Sequence, residues 1–295
     1  MNIALTGASG SIGRELRPFL EGLGHSLYII SSSQPGNGKS IFSYTDLEQA
    51  KIHCKIDALI HLASLNSNLS KDKIDQETNL TRNVLSALQD LQCPKLIFFS
   101  TAKVYGDNSF SEVIFNESSP IEPTCAYSIA KQRSEDLIIE NSPALNICSI
   151  ILRLPPVLNQ SYSSNLGKLI RLAKKGVHLP SFAAGDLNQR SFISQININL
   201  IIQRLLEISG ECGSSVYNLS DDHHISLNSL LRCYGKKGTL ALPYLLEKLI
   251  FKIPFFQSIL LKLYGNFILE NHKLTNDLSV KLYSTQEAVL LGDSK

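Results

Sequence analysis

Five short apolar runs recur through the first half of the chain, and a helical pattern follows each of the first four. The runs are NIAL at 2–5, HSLYII at 25–30, IDALIHLAS at 56–64, PKLIFFST at 94–101 and NICSIILRL at 146–154. Apolar residues continue through them with little polar alternation, the pattern of strands buried on both faces. In the first helical stretch Arg14, Glu15 and Arg17 oppose Leu16, Phe19 and Leu20. Asp46 is placed to cap a second that runs to Cys54, the third covers Asp72 to Leu91, and the fourth Ala126 to Asn141. Such alternation places crossover helices on both sides of a parallel sheet. The expected fold class is therefore α/β, a doubly wound parallel sheet.

The pattern changes after Pro155. Helical stretches dominate there, with short strand-like pieces at RSFIS (190–194) and VYNLS (216–220). At roughly 150 residues per domain, the 295 residues divide into a first domain over 1–155 and a smaller, mostly helical second over 156–295, with strand exchange between them allowed. Hydrophobic residues at 43% and charged residues at 18% exclude a disordered chain. Balancing 28 Lys+Arg against 26 Asp+Glu leaves a net charge of +2, too little to make nucleic acid an expected partner. The six cysteines are scattered, with no CxxC pair and no zinc spacing, so they read as reduced thiols of a cytoplasmic protein with no metal site. The adjacent His223 and His224 have no third ligand at useful spacing and read as loop.

The N-terminus reaches a glycine turn after a few apolar residues and reads as a strand, not a leader. The most apolar region, 240–269, is interrupted by Glu247, Lys248, Lys252 and Lys262 and punctuated by Pro243 and Pro254. No transmembrane segment is expected from it. It reads as amphipathic helices packing on the domain, in preference to a peripheral membrane contact.

Two constellations carry chemistry. Gly7, Gly10 and Gly13 follow the first strand and open the first helix, in the spacing TGxxGxxG. Glycines there permit a tight turn, close approach of backbone amides to a pyrophosphate, and close packing of helix on strand. The helix end adds its partial positive charge. Farther on, Tyr127 and Lys131 stand four apart and share one helix face. A neighbouring cation favours the phenolate and brings tyrosine toward useful acid/base behaviour. Thr101 ends the fourth strand, and the carboxyl ends of parallel strands are where such sheets place ligands. Its hydroxyl is suited to orient a sugar hydroxyl or carbonyl.

In this order of motifs the chain resembles the extended short-chain dehydrogenases/reductases, the family of sugar-nucleotide epimerases, dehydratases and reductases. TGASGSIG resembles its cofactor loop, which implies contacts at Gly7, Ser9, Gly10, Ser11, Ile12 and Gly13. IHLAS is similar to a strand that lies along the cofactor and implicates Leu62 and Ala63. Asp46 and Leu47 stand where the family surrounds adenine, and Asn79 matches a structural asparagine counted with the cofactor residues. STAKVYGD resembles the segment holding the catalytic hydroxyl, Thr101. ESSPIEPTCAYSIAK resembles the segment that makes Tyr127 the acid/base and Lys131 its ribose-binding partner. ILRLPPV brings Leu154 toward the nicotinamide. Asn165 and Arg190 match positions that hold the nucleoside diphosphate, UDP, and an arginine fork suits phosphate oxygens.

Departures from the family narrow the reading. STA (100–102) is followed by Lys103, without the Asp-Glu pair that 4,6-dehydratases carry after the hydroxyl residue, which disfavours dehydration. Asn66 replaces the lysine of hexose 4-epimerases. Asn66 and Lys103 are kept as substrate-site candidates. Ser31 follows the second strand where NAD-specific members carry an acid, which tilts the cofactor toward NADP over NAD. The resemblance is strongest to reductases of UDP-linked 4-keto-6-deoxy-N-acetylhexosamines in O-antigen synthesis. It implies a cytoplasmic homodimer acting on a UDP-sugar. The alternatives are a UDP-hexose 4-epimerase and a non-catalytic NAD(P)-binding regulator.

Overall fold

The computed structural model describes residues 1–31, 41–42, 52, 54–65, 69–111, 113–159, 165–177, 179–181, 188–208, 213–235, 239–243, 249–250 and 253–293. In chain order the elements are β1 (Asn2–Thr6), α1 (Gly13–Gly22), β2 (Ser26–Ile30), β3 (Ile41–Phe42), β4 (Ala58–His61), α2 (Ile74–Asp90), β5 (Lys95–Thr101), β6 (Ile114–Phe115), α3 (Ala126–Leu145), β7 (Cys148–Leu154) and β8 (Val157–Leu158). There follow α4 (Asn165–Lys174), β9 (Leu179–Ser181), β10 (Ile193–Ser194), α5 (Gln195–Glu207), β11 (Gly213–Asn218), α6 (Leu227–Tyr234), β12 (Thr239–Ala241), α7 (Pro254–Tyr264), β13 (Ile268–Leu269), α8 (His272–Leu278) and α9 (Thr285–Asp293). Single 3-10 turns stand at Lys71–Lys73 and Ala102–Tyr105. The second helix expected from Asp46 to Cys54 lies mostly outside the described residues. None of the described helices is long and apolar enough to cross a membrane.

Two units interleave along the chain. The first comprises Met1–Val104, Ile121–Leu154 and Ile201–Tyr217; the second comprises Tyr105–Pro120, Pro155–Leu200 and Asn218–Lys295. The sequence reading drew one division near 155.

The first unit is organised by a sheet in the order β11-β7-β5-β4-β1-β2-β3. β1 is parallel to β2 and β4, β2 to β3, β4 to β5, and β5 to β7. The five apolar runs supply five of its seven strands, and β3 and β11 extend it at the two edges. The doubly wound α/β class expected from the strand–helix alternation is the class observed. Strand order reverses at β1. The chain moves outward through β2 and β3, then returns to place β4 on the other side of β1, and ligands of open α/β sheets lie beyond the carboxyl ends of the strands at such a point. Thr6 and His61, register partners, mark those ends here.

α2 and α3 pack side by side. Val84, Leu85 and Leu88 of α2 and Ile138 of α3 meet Leu59, Leu96, Phe98 and Ile151 from the strands in one buried cluster. Each such side chain contributes about 1.5–3 kcal/mol when fully removed from water. α3 runs one turn beyond the expected Asn141. Pro143 sits in its last turn, where it cannot donate to the carbonyl four residues back, and Asn146 ends the helix in the left-handed conformation at φ 53°.

The second unit has its own core, in which Ile170 of α4 and Leu227, Leu230 and Leu231 of α6 surround Phe192 and Leu158. Parallel pairs β8–β10, β9–β12 and β6–β13 complete it. Asp221 is buried there and accepts from the Ser194 amide and hydroxyl (2.8 and 2.9 Å), Asn197 Nδ2 (2.7 Å) and Thr285 Oγ1 (3.0 Å). This satisfies a carboxylate that burial would otherwise penalise.

Candidate active site

The glycine loop closes on the strand beside it. Gly7 has φ +70°, and a Cβ added there would stand 2.6 Å from the Ala63 amide nitrogen. Only glycine fits both demands. The Gly10 amide bonds the Gly7 carbonyl at 2.9 Å. Ile12 occupies the N-cap position of α1 and makes no side-chain cap bond. The turn thus brings backbone close to backbone and presents a helix start with no side-chain cap, features that suit a dinucleotide's phosphates. Ser9 and Gly10 are exposed and Ser11 and Ile12 half-buried around it. Ser31 follows β2, and Leu62 and Ala63 follow β4; all three are half-buried. The Thr6 hydroxyl accepts from the Ala63 amide at 3.1 Å and bonds His61 Nδ1 at 2.7 Å. Burial, reinforced by the charge of Lys131, lowers the His61 pKa to about 3, so the ring is neutral.

Thr101 ends β5 opposite Leu154, which ends β7; both are buried. Tyr127 lies in the first turn of α3 and Lys131 one turn later on the same face. Cys125 caps that helix through a reciprocal bond, its amide donating to Ser128 Oγ at 3.2 Å. Lys131 Nζ stands 4.8 Å from the centre of the Phe98 ring and 6.0 Å from that of Tyr127. Phe98 precedes Thr101 by three positions on β5, so strand and helix meet around the ammonium. Burial pushes Tyr127 above its ordinary pKa, and Glu77 and Cys125 add to the effect, while a bond from Ser64 opposes it. Burial lowers Lys131, and the nearby Glu77 and Glu135 oppose that shift.

Glu77 was absent from the sequence expectations. Its side chain is buried in the first turn of α2, with Oε1 3.2 Å from Lys131 Nζ and Oε2 accepting from the Leu65 amide at 2.6 Å. The signal was present in the sequence. Glu77 occupies the stripe of Thr81, Val84, Leu85 and Leu88, and a charged residue on a buried stripe needs a partner. Asn79, expected beside the cofactor, lies instead on the exposed side of α2 and accepts from Arg82 Nη1 at 2.7 Å. Two residues along a helix turn a side chain by about 200°, so Asn79 and Glu77 cannot face the same way. Glu135, one turn beyond Lys131, was also missed. It accepts from Ser100 Oγ and pairs with Arg153 at 2.7 Å, all three residues being buried.

Lys103 is exposed in the single turn after β5. Asp46, Leu47 and Asn66 lie outside the described residues. Asn165 opens α4 in the second unit. Arg190, also in that unit, donates from Nη1 to the Lys262 and Leu263 carbonyls at the end of α7, at 2.7 and 3.0 Å. Its Nε is buried with no hydrogen-bond partner, and burial lowers its pKa to about 10.

A family model described as "NAD dependent epimerase/dehydratase family" matches residues 3–194. The UDP-glucose 4-epimerase of Vibrio cholerae is 23% identical over 98% of this chain and 89% of its own length. In fold the chain is similar to the UDP-N-acetylglucosamine 4-epimerase of Bacillus cereus, with TM-score 0.77 and 19% identity over 99% of each chain. It is also similar to a UDP-glucuronic acid 4-epimerase from Bacillus cereus solved in complex with NAD. That match has TM-score 0.73 and 18% identity over 98% of this chain and 94% of the other.

Proposed function

Because this chain belongs to the NAD dependent epimerase/dehydratase family, we propose that it is an NAD(P)-dependent enzyme acting at C4 of a UDP-hexose, reducing a UDP-4-keto-6-deoxy-N-acetylhexosamine. The observation that carries the reading is the placement of Tyr127 and Lys131 on one turn of α3, against the strand that Thr101 ends. The glycine turn packs backbone to backbone on the strand, since a Cβ at Gly7 would collide with Ala63, and it leads into a helix start with no side-chain cap, which suits a dinucleotide's phosphates. Gly7, Gly10 and Gly13, with Ser9, Ser11, Ile12, Leu62 and Ala63 around them, are the residues we assign to hold it. A bound reduced nicotinamide supplies the hydride that C4 receives.

Tyr127 gives its phenol proton to the C4 oxygen as the carbonyl π bond opens, and solvent reloads the phenolate after product leaves. Lys131 stands one turn from Tyr127 on the same helix face and offers donors to a ribose. Thr101 aligns the C4 oxygen by a hydrogen bond. Arg190 is assigned to the diphosphate. Its unpartnered Nε supports this, because a buried charged donor left without an acceptor is costly and an anionic ligand would relieve it. Binding of a remote nucleotide then contributes orientation at the reacting carbon.

A UDP-hexose 4-epimerase is the second reading, favoured by the names of the relatives. It uses the same groups but begins with removal of a proton and leaves the cofactor unchanged after each turnover. Purified protein incubated with UDP-4-keto-6-deoxy-GlcNAc and NADPH, or NADH, separates the two. Sustained, sugar-dependent loss of reduced-nicotinamide absorbance is the expected result. Interconversion of UDP-hexoses without net oxidation would replace the reductase with the epimerase. The preferred cofactor is expected to be NADP(H), since Ser31 places no carboxylate directly after β2, and the ratio of kcat/KM for the two cofactors measures that preference.

A further inference from the structure

The lysine that would support a phenolate is already engaged. Lys131 and Glu77 pair at 3.2 Å with their side chains 3% and 2% exposed, so neither charge is screened by water. Glu77 is held from the other side by the Leu65 amide, which fixes the carboxylate on the Lys131 side of α2. A buried pair of this kind presents nearly no net charge to a third group beside it.

We propose that Glu77 is a positioning residue that sets the resting protonation of the site. By pairing with Lys131 it offsets the cation that would otherwise stabilise a Tyr127 phenolate, so Tyr127 rests as the neutral phenol and begins turnover as a proton donor. This deepens the reading of Tyr127 as the acid/base of C4 chemistry and rests on it. It also assigns a direction. A tyrosine that begins protonated suits reduction of a keto sugar, whereas oxidation of a hydroxyl sugar must begin from the phenolate.

The groups around Tyr127 come from each neighbouring element. Glu77 stands on α2, Lys131 on the same helix as Tyr127, Cys125 at that helix's N-cap, and Ser64 after β4. Around Lys131 stand neutral His61 on β4 and, one turn along α3, Glu135, which is itself paired with Arg153 of β7. Among the described residues, Glu77 is therefore the carboxylate paired directly with Lys131.

The test reads Tyr127 itself, in the protein without added substrate or cofactor. Protein carrying carbon-13 at tyrosine Cζ is titrated by NMR, with the Tyr127 resonance assigned by its loss in Tyr127→Phe. Four chains are compared: wild type, Glu77→Gln, Lys131→Met and the double variant. Removing the carboxylate's charge while keeping an acceptor for the Leu65 amide leaves the ammonium unopposed. The Tyr127 midpoint in Glu77→Gln is expected to fall by roughly one to three pH units, the range for an opposite charge within a few ångströms. Lys131→Met is expected to titrate highest, and the double variant close to wild type. Should Glu77→Gln not fold, Lys131→Met against the double variant reads the same carboxylate effect with no ammonium left unpaired.

In reductive kinetics, the basic limb of the pH profile moves to lower pH in Glu77→Gln by the same shift. A merely structural role would lower the rate alike at every pH. The proposal is overturned if Glu77→Gln leaves the Tyr127 titration where wild type has it, or if Lys131→Met and the double variant coincide. A chain that shows the expected order of midpoints yet reduces no keto sugar would retire the reductase reading and leave the role of Glu77 standing.

Discussion

At the scale of single residues the proposed reading divides the candidate site into groups assigned to the chemistry and groups that hold them. Tyr127→Phe removes one oxygen and keeps a ring of the same shape in the first turn of α3. Proton transfer by a placed side chain contributes about 10²–10⁴-fold. The substitution is therefore expected to lower kcat by at least 10²-fold while the unfolding midpoint stays near wild type, read by steady-state kinetics beside a denaturant titration. The placement of Tyr127 and Lys131 on one turn of α3 and of Thr101 at the end of β5 was legible, because the spacing of four and the apolar strand run specify it locally. Glu77 and Glu135 were not, although each occupies a buried helical stripe. A lone acid on an amphipathic helix is read as solvated unless its partner is known, and these partners lie on other elements: Leu65 after β4 for Glu77, Ser100 and Arg153 on strands for Glu135. Asn79 was singled out by its motif alone, and it stands on the exposed side of α2, bonded to Arg82.

At the scale of elements, local pattern specified what lies along the chain and left open what returns to it. The strands β1, β2, β4, β5 and β7 announce themselves by composition, because a strand covered on both faces must be apolar throughout. β11 overlaps the strand-like run VYNLS, but it is not apolar throughout. Its burial alternates toward its start, and its place beside β7 depends on contacts made after some sixty intervening residues of chain. A buried lysine secures the helix that leads into it. Lys95, at the start of β5, donates from Nζ to the Leu205 and Ile208 carbonyls at the end of α5, at 2.8 and 2.6 Å. These are carbonyls that a helix end leaves unpaired, and a cation there also meets the negative end of the helix dipole. Lys95→Met keeps most of the stem and removes the donor. It is expected to destabilise the fold by about 1–3 kcal/mol, the penalty for orphaned buried acceptors. The midpoint of urea unfolding should fall with little change in its slope, and the Tyr127 titration should not move.

At the scale of the whole molecule, the switch point that positions the glycine loop also carries a buried histidine. His61 is 1% exposed between Thr6 and the cationic Lys131, and its pKa falls to about 3. The unfolded chain takes up that proton near pH 6.5, the folded chain only near pH 3. Stability from this group is thus complete above pH 6.5 and is lost as pH falls through the interval down to 3. The loss runs at about 1.4 kcal/mol per pH unit, so about 2 kcal/mol is gone by pH 5. Carboxyls that burial pushes up act in the opposite sense, Asp221 of the second unit among them, because the folded state then binds the extra proton. The informative quantity is therefore the difference between wild type and His61→Gln. The variant loses stability at neutral pH, since glutamine fills less of the site beside Phe98, whose ring centre lies 5.5 Å from that of His61. Between pH 6.5 and 5, however, its stability should decline less steeply than wild type, by about 1.4 kcal/mol per pH unit. Urea unfolding of both chains at closely spaced pH values measures the two slopes. Parallel slopes would mean that His61 takes up its proton in the folded state as readily as in the unfolded chain, so that below pH 6.5 the imidazole beside Lys131 would be a cation.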